Sequence, residues 1–478
     1  MSNPDEAALN ALRHIGPDPA NWVPAHDGID HNVVVVGGGQ TGRTFSFALR
    51  RAGIGGVSVI DAAPDEPHAG VWLTRARMQK LRTFKVLPGP ELGVTALGFQ
   101  AWYEARHGAA AFDAIDRIGR TDWADYLRWF QTFLDIPVRY NTRLVRVEPG
   151  SGHLRLHLEV NGEPRVETTR KLVFGNGVVG AGGPALPAVL TGLPKAFYAH
   201  TSEDIDFTSL AGKTVGVLGS GASAFDAAAV ALEHGAGAVH LFVRRAQIAS
   251  VPIARTRGYT GAYDNYRHLP DAVRWGQAIR YREAGSAPPV DAINRAIAHA
   301  NFHIHLASEW SEARIEGGSV IATAAGGEHR FDFVIAGTGY FADPNGRPEL
   351  ADFADRIALW RDRYTPPAGL EDRFFGAHPY LGFAHEYVER EPGFAPFLKD
   401  IHVYNPQGFV SFGFPTGDVP SIKRDVPLIT AQISRDLFLA DFDDHAERLV
   451  GPMGPDFEPD LYAGSVWSPQ RARASVGG

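Results

Sequence analysis

Two glycine-containing turns are the parts of this chain whose residue types and spacing most clearly specify chemistry. The first, Gly37-x-Gly39-x-x-Gly42, follows a run of four valines and opens a helical stretch, and the next apolar run ends in Asp61. The glycines permit a tight turn, close approach of a pyrophosphate and packing of helix on strand. Free N–H groups at the helix start attract phosphate. An acid at the end of the second strand accepts hydrogen bonds from ribose hydroxyls and repels a 2′-phosphate. The residues predicted to bind FAD or NAD here are Gly37, Gly39, Gly42 and Asp61.

A second turn of the same kind lies about 180 residues later. Gly219-x-Gly221-x-x-Ala224 again separates an apolar strand from a helix, and the following strand ends in two arginines rather than an acid. Guanidinium groups favour a 2′-phosphate. The second turn therefore predicts an NADPH site. Its predicted residues are Gly219, Ser220, Gly221, Ser223, Arg244 and Arg245.

Composition narrows the remaining classes of function. The chain has 478 residues, 44% of them hydrophobic and 21% charged, with a formal charge of −8, so nothing suggests nucleic-acid binding. There is no cysteine, which excludes a disulfide relay, a thiolate nucleophile and a cysteine-bound iron–sulfur cluster. No apolar stretch has the length of a membrane span, and the acidic start does not resemble a signal peptide. We expect a cytoplasmic enzyme with a small-molecule substrate.

The order of the motifs predicts an α/β fold with two Rossmann-like dinucleotide-binding domains, the NADPH domain inserted in the FAD domain. The expected layout is an N-terminal leader at 1–30, the first part of the FAD domain at 31–205, the NADPH domain at 206–335, and the second part of the FAD domain with a C-terminal segment at 336–478. The crossings between domains would form a two-stranded hinge. Such an arrangement places nicotinamide and flavin rings in one cleft, as hydride transfer requires. A homo-oligomer is compatible with this layout.

Further motifs make the chain resemble a known family. Ala69-Gly70-Val71-Trp72 follows the first turn, and the strand after the second domain ends in Gly-Thr-Gly-Tyr at 337–340. This order resembles the class B flavoprotein monooxygenases, which include flavin-containing monooxygenases, amino-acid N-hydroxylases and Baeyer–Villiger enzymes. The resemblance covers about residues 30–440. It assigns cofactor contacts to Gly70, Trp72, Gln79, Gly339, Tyr340 and the backbone of Val145.

The resemblance also implies the reaction. NADPH would reduce FAD, O2 would add to the flavin at C4a, and the resulting hydroperoxide would oxygenate a bound substrate, with the protein mainly orienting rings and excluding water. No catalytic dyad is therefore expected. The residues predicted to lie near the flavin are Gln79, Arg82, Thr83 and Asn176.

One departure from the family bears on the substrate. Baeyer–Villiger and flavin-containing enzymes carry a Phe-x-Gly-x-x-x-His motif before the second turn, whereas residues 197–202 read Phe-Tyr-Ala-His-Thr-Ser. Oxygenation of a nitrogen or sulfur is thus favoured over Baeyer–Villiger oxygenation of a ketone. A reductase that passes electrons to a quinone or protein acceptor is the other alternative.

Two stretches are predicted by position to line the substrate site. One runs from 255 to 268 and carries Tyr259, Tyr263 and Tyr266, and the other runs from 404 to 418. Arg255 and Arg257 in the first stretch would suit a carboxylate. His303 and His305 alternate on a strand, a pattern more typical of a solvated strand face than of a metal site, so no metal is expected.

Overall fold

The structure, a computed structural model, describes residues 3–87, 89–253, 258–451 and 454–467. Arg255 and Arg257, offered above as substrate contacts, lie outside the described residues. The chain forms two compact units, Met1–Ser434 and Arg435–Gly478. Among the described residues, no helix is long and apolar enough to cross a membrane.

The strands and helices follow the predicted alternation of β and α elements. The strands are β1 His31–Val36, β2 Val57–Ile60, β3 Lys80–Phe84, β4 Arg117–Gly119, β5 Val138–Arg139, β6 Thr142–Pro149, β7 Leu154–Val160, β8 Glu163–Phe174, β9 Gly182–Pro184, β10 Tyr198–His200, β11 Thr214–Leu218, β12 Ala238–Phe242, β13 Phe302–His305, β14 Glu312–Glu316, β15 Ser319–Ala324, β16 Gly327–Phe331, β17 Phe333–Ala336, β18 Tyr340–Ala342 and β19 Ile401–Val403. The helices are α1 Pro4–Ile15, α2 Gln40–Arg51, α3 Phe99–His107, α4 Ala109–Ala114, α5 Arg120–Phe133, α6 Ala188–Thr191, α7 Ala222–Glu233, α8 Thr260–Asn265, α9 Asp271–Ala284, α10 Val290–Ile297, α11 Trp360–Arg363, α12 Arg373–Gly376, α13 Phe409–Phe412, α14 Val419–Ala440, α15 Phe442–Val450 and α16 Asp460–Ala463.

The first sheet has the strand order β5-β2-β1-β8-β7-β6, and β19 pairs with β8. β1 pairs in parallel with β2 and β8, while β6, β7 and β8 form an antiparallel meander. Val33, Val34 and Val35 of β1 are buried because this strand lies inside a sheet covered on both faces. The valine run and the turn after it therefore occupy the middle of the sheet.

The second sheet has the order β10-β17-β11-β12-β13, and its paired strands are parallel. The small side chains of α7 bring this helix close to the sheet, and its alanines at 224, 227, 228 and 231 are fully buried. On one face lies the antiparallel sheet β14-β15-β16, with Trp310 and Phe331 packed against Phe242 of β12. The second sheet is therefore a separate dinucleotide-type unit.

The chain crosses from the first sheet to the second and later returns. After β17 it returns to the first sheet, where Ile401–Val403 pairs in parallel with β8. At the crossing, β18 pairs antiparallel with β9, so the predicted two-stranded hinge is present. β10 already belongs to the second sheet although it precedes residue 206. The predicted nested α/β architecture is confirmed.

Candidate active site

The first glycine turn is shaped by two close backbone approaches. Gly37 has a φ of +113°, and a Cβ added there would lie 2.5 Å from the carbonyl oxygen of Gly175, at the end of β8. A Cβ at Gly42 would lie 1.9 Å from the Gly37 oxygen. By contrast, the nearest atom to a Cβ at Gly39 is the Cα of Gly70, at 3.5 Å. The first and third glycines are needed for packing, and the second faces the Gly70 backbone across a gap.

Asp61 lies beside this turn, as predicted. Its Oδ2 accepts a hydrogen bond of 2.6 Å from the Gly38 N–H, and its Oδ1 accepts one of 2.7 Å from the Ala63 N–H. The carboxylate is therefore fixed at the end of β2, next to the helix start that would hold a pyrophosphate. Val145 lies at a register shift between β6 and β7, where the ladder skips from Leu144 to Arg146. A residue skipped by the ladder has backbone groups available for a ligand, which agrees with the predicted adenine contact.

Trp72 anchors the segment that follows Gly70. Its ring contacts Trp123 edge-on at 6.4 Å, and its carbonyl accepts a hydrogen bond from the Arg120 guanidinium. The Trp123 indole N–H in turn donates to Gln40 at 3.2 Å. Gln40 is the first residue of α2, so these hydrogen bonds and ring contacts connect the Gly-x-Trp segment to the first turn of that helix.

The four residues predicted near the flavin have different environments. Gln79 is exposed, and its backbone oxygen accepts a hydrogen bond from the Arg120 N–H. Thr83 is half-buried on β3. Arg82 donates to the carbonyl of Ala287, between α9 and α10, at 3.2 Å. Asn176 accepts a hydrogen bond of 3.0 Å from Asn405, in the returning part of the first unit. Arg82 and Asn176 thus have hydrogen-bond partners in different parts of the fold.

The second glycine turn repeats the geometry of the first. Gly219 has a φ of +124°, and an added Cβ would lie 2.3 Å from the carbonyl oxygen of Gly337, at the end of β17. At Gly221 the nearest atom to an added Cβ is the Cβ of Ser286, at 3.9 Å. Ser220 is half-buried and Ser223 is exposed at the mouth of the turn. Among the described residues, no side chain caps α2 or α7 by a hydrogen bond, so both helix starts can receive a phosphate.

The two arginines after β12, which the sequence predicts to share one phosphate, have separate environments. Arg244 is 79% exposed, and its nearest acid is Glu309 at 3.8 Å. Arg245 instead donates to the carbonyl oxygens of Arg282 and Glu283, at 2.7 and 2.5 Å. These carbonyls lie in the last turn of α9, so Arg245 is engaged with a helix end while Arg244 is open to solvent.

A network of arginines joins the segment after Trp72 to the elements around the second sheet. Arg77 donates to the carbonyls of Thr201 and Glu203, at 2.5 and 2.9 Å, and its own carbonyl accepts from Arg295 of α10. Arg295 also lies 3.2 Å from Asp226 of α7. Burial raises the pKa of Asp226 to about 6, although Arg295 opposes the shift. This segment is therefore held between the two dinucleotide turns.

Residues near the hinge complete the same junction. Gly339 has a φ of +84°, and its carbonyl accepts from the Ala185 N–H at 2.9 Å. Tyr340 packs edge-on against His200, with the ring centres 5.1 Å apart. Both predicted residues thus lie at the crossing between the sheets, as the resemblance implies.

Sequence reasoning missed how the returning chain completes the first turn. The side-chain amide of Gln40 donates to the carbonyl of Gly417 at 3.1 Å, across 377 residues of sequence. Burial raises the pKa of the adjacent Asp418 to about 6. Short, irregular segments carry these residues, and no periodic pattern marks them. The only feature of the sequence that could have indicated this contact is Gly417-Asp418, which follows a stretch rich in turn-forming residues.

The two stretches predicted to line the substrate site are in contact. Tyr263 of α8 stacks on Phe414 with ring centres 4.4 Å apart, and Tyr266 contacts Phe414 at 5.8 Å. The Arg424 guanidinium lies 5.4 Å from both the Tyr263 and Phe414 ring centres. Tyr259 is exposed. An aromatic wall therefore stands next to Gly417 and the first turn.

Comparison with known proteins identifies the family. A family model described as L-lysine 6-monooxygenase/L-ornithine 5-monooxygenase matches residues 111–256. The FAD-dependent urate hydroxylase of Xanthomonas campestris pv. campestris is 40% identical over 424 residues, which are 88% of this chain and 89% of that protein.

Solved structures share the fold at lower identity. The reduced ornithine hydroxylase of Pseudomonas aeruginosa gives a TM-score of 0.66 at 16% identity, covering 86% of this chain and 100% of that one. The L-lysine 6-monooxygenase of Pseudomonas syringae gives 0.64 at 18% identity, covering 86% and 99%. The predicted fold, enzyme class and FAD and NADPH cofactors are confirmed. The chain belongs to the class B flavoprotein monooxygenases, the family that its motif order resembles.

Proposed function

We propose that this protein is an NADPH-dependent FAD monooxygenase whose substrate is a planar, nitrogen-rich heterocycle of the urate class. The observation that carries the proposal is the 40% identity, over 88% of the chain, to a protein named as a urate hydroxylase. Identity to the ornithine and lysine enzymes is 16% and 18%. A shared fold does not determine the substrate, so the higher identity is the better guide.

The residues around each turn fit the two cofactors. FAD would be held by the first turn with Asp61, Gly70, Trp72 and the backbone of Val145, and NADPH by the second turn with Arg244. When bound and reduced, FAD supplies the activation of O2. The segment that ends in Gln79, and Tyr340 at the hinge, would orient the two cofactors and exclude water from their junction.

The aromatic wall suits a flat substrate. Tyr263 is half-buried and stacks on the buried Phe414 beside Gly417, whose carbonyl accepts a hydrogen bond from Gln40 at the start of α2. The surface that the wall offers is therefore that of Tyr263. A flat heterocycle gains stacking energy on such a surface. Arg424 lies next to both rings, but its guanidinium forms a bidentate ion pair with the buried Asp425, so it brings no uncompensated positive charge to the wall.

N-hydroxylation of an aliphatic amine is the second candidate. It is favoured by the family model over residues 111–256 and by the named functions of the structural neighbours. A long amine needs carboxylate or carbonyl acceptors for its ammonium group, and Asp418 is the acid beside the aromatic wall. Burial, which raises the pKa of Asp418 to about 6, makes it a weaker partner for a cation below that pH.

The two candidates are separated by coupling measurements on the FAD-bound enzyme. NADPH oxidation, O2 uptake and H2O2 release are followed with urate, ornithine, lysine or cadaverine. We expect urate to accelerate NADPH oxidation, to be consumed, and to lower the H2O2 released per NADPH. The second candidate would be favoured if an amine is consumed and if, in the separate assay with urate, each NADPH oxidised still releases one H2O2.

Labelled oxygen tests the reaction class itself. With ¹⁸O2, a monooxygenase places one labelled atom in the product. Rapid NADPH oxidation with a quinone acceptor, and no label in any product, would instead support the reductase alternative.

A further inference from the structure

Arg295 of α10 connects separate elements of the fold through one guanidinium group. Its Nε and Nη2 donate to the carboxylate of Glu233, at 2.8 and 2.9 Å, and its Nη1 lies 3.2 Å from a carboxylate oxygen of Asp226. Both acids belong to α7, the helix that begins at the second glycine turn, and residues seven apart lie on one face of a helix. The Arg295 side chain is 12% exposed. Arg295 is therefore fixed to the helix whose start would receive the pyrophosphate of NADPH.

The same guanidinium group also contacts the segment 69–79, which precedes β3. Arg295 Nη1 donates to the carbonyl oxygen of Arg77 at 3.1 Å. The Arg77 side chain in turn donates to the carbonyls of Thr201 and Glu203, just after β10, at 2.5 and 2.9 Å. The backbone and the side chain of Arg77 are thus both held by elements around the second sheet.

The opposite end of segment 69–79 lies against the first turn. The Cα of Gly70 is the nearest atom to a Cβ added at Gly39, and the Arg120 guanidinium donates to the carbonyl of Trp72. Gly70 and Trp72 are also predicted contacts of FAD. One short segment is therefore attached to the first turn at one end and to the second sheet at the other.

The position of this segment depends on contacts from outside it, because residues 69–79, all of them within the described part of the chain, form no helix or strand. An irregular segment lacks the repeated backbone hydrogen bonds that hold a strand or helix in place, so it opens more easily. The guanidinium group of Arg295 can bind the Arg77 carbonyl and the acids of α7 at once, because its N–H donors are spread over a rigid plane. A lysine ammonium group is a compact point charge that cannot span the same partners.

We propose that Arg295 couples the two cofactor sites: it is a positioning residue through which a nucleotide at the second turn holds segment 69–79 in the conformation that retains FAD at the first. A nucleotide bound at the start of α7 stabilises the packing of α7 on α10, and Arg295 transmits that stabilisation to the backbone of Arg77. Each cofactor then meets a segment that the other has already ordered, so both affinities rise together. This inference rests on the proposed placement of FAD at the first turn and of NADPH at the second.

The release of FAD from the FAD-bound enzyme measures this coupling without turnover. Enzyme that carries radiolabelled FAD is chased with excess unlabelled FAD, with and without NADP⁺ at a saturating concentration set by calorimetric titration. In the unmodified enzyme we expect NADP⁺ to slow FAD release about five-fold or more. In Arg295→Lys the ammonium group still pairs with the acids of α7 but does not also bind the Arg77 carbonyl, so the slowing should fall below about two-fold. Arg295→Gln should give the same loss.

Glu233→Gln is the control within the network. It removes the charge of one partner of Arg295 but leaves the contacts of Arg295 with Asp226 and with the Arg77 carbonyl. NADP⁺ should therefore slow FAD release in this variant as it does in the unmodified enzyme.

Arg314→Lys makes the matched substitution on β14, where the arginine pairs with Glu316 and Glu328. It should keep the full effect of NADP⁺. A role of Arg295 in stability alone would change FAD release by the same factor with and without NADP⁺, whereas a loss of coupling changes the ratio of the two rates. Thermal unfolding of each variant is measured alongside.

The outcomes separate this inference from the proposed function. If the unmodified FAD-bound enzyme does not bind NADP⁺, the proposed use of NADPH fails and the coupling fails with it. If NADP⁺ binds but leaves FAD release unchanged, the coupling is refuted and the proposed function stands. If NADP⁺ slows release equally in the unmodified enzyme, in Arg295→Lys and in Arg295→Gln, Arg295 does not carry the coupling and the inference is refuted.

Discussion

The two glycine turns reach the same backbone geometry but are completed in different ways. At each, the first glycine approaches the carbonyl at the end of a neighbouring parallel strand, Gly175 in one case and Gly337 in the other. The first turn is closed by residues distant in sequence, through the contact between Gln40 and Gly417. At the second turn, Gly221 faces Ser286, which lies between α9 and α10. The conformation of each turn is determined by nearby residues. The two nucleotide sites differ in the segments that surround their turns.

The third position of each turn shows how small the local differences are. Gly42 leaves no room for a Cβ, whereas Ala224 carries one, and it is accommodated because its neighbour at 337 is glycine. A Cβ added at Gly337 would lie 2.6 Å from the Ala224 Cβ. The methyl group is thus allowed on the helix only where the strand end has none.

The same asymmetry appears in the strand-end residues. Asp61 is held by two backbone N–H groups and is ready to accept ribose hydroxyls. Arg244 is exposed and has no comparable constraint. A short acid can be fixed by its own turn, but a long cation needs neighbours from elsewhere to be oriented.

The largest expected effect comes from exchanging the third positions of the two turns. Gly42→Ala places a Cβ 1.9 Å from the Gly37 carbonyl oxygen, which forces α2 away from β1 at a cost of about 1–3 kcal/mol or more. We expect the purified variant to lose FAD, measured as the ratio of flavin absorbance to protein absorbance. Ala224→Gly removes a methyl group without creating a clash, costs about 1 kcal/mol and should retain FAD. Equal FAD content in both variants would show that the first turn is more adaptable than its geometry indicates.

An effect of intermediate size is expected when the pH is lowered. The second sheet should lose stability at a higher pH than the first sheet. Burial, reinforced by the neighbouring His303, His305 and His329, lowers the pKa of His240 on β12 to about 4. The folded state therefore resists a proton that the unfolded chain accepts, and the free energy of unfolding falls as the pH drops from 6.5 to about 4.

The first sheet should lose stability at lower pH. Hydrogen bonds from Arg139, at 2.7 and 2.8 Å, lower the pKa of Glu167 on β8 to about 2. Its contribution is present above pH 4.5 and is lost as the pH falls from 4.5 toward 2. Hydrogen exchange at pH 5 should therefore show greater opening of β12 and β13 than of β1 and β8. His240→Gln should reduce that difference. Equal hydrogen exchange in both sheets at pH 5 would indicate that His240 does not determine the acid stability of the second sheet.

The smallest effect tests the backbone contact predicted at the first site. Val145→Ala keeps the backbone N–H at the register shift of β6 and should leave the dissociation constant of FAD unchanged. Val145→Pro removes that N–H and should weaken FAD by about 1 kcal/mol, the value of one hydrogen bond. The measurement is flavin fluorescence on titration of the FAD-free protein. Identical affinities for the two variants would remove Val145 from the adenine site.

Both the nested fold and the enzyme class were predictable from the sequence. The valine run, the glycine spacing and the alternation of strands and helices are local signals, and each dinucleotide unit is built almost entirely from them. The positions of Asp61 and of the arginine pair after their strands were also predictable, because strand-end residues follow their turn at a fixed distance; their roles toward the two riboses stay predictions. The absence of cysteine removed the disulfide relay without any structural information.

Contacts between distant segments were decided only by the tertiary structure. No pattern in the sequence indicates that Arg245 donates to the carbonyls at the end of α9 while Arg244 stays exposed, because either environment fits an arginine after a strand. Likewise, the sequence did not indicate that Arg82, predicted to lie near the flavin, donates to the carbonyl of Ala287. A long side chain can contact several elements, so its partners depend on how α9 and α10 pack. Turns and strands are determined locally, and side-chain partnerships across the cleft are determined by packing.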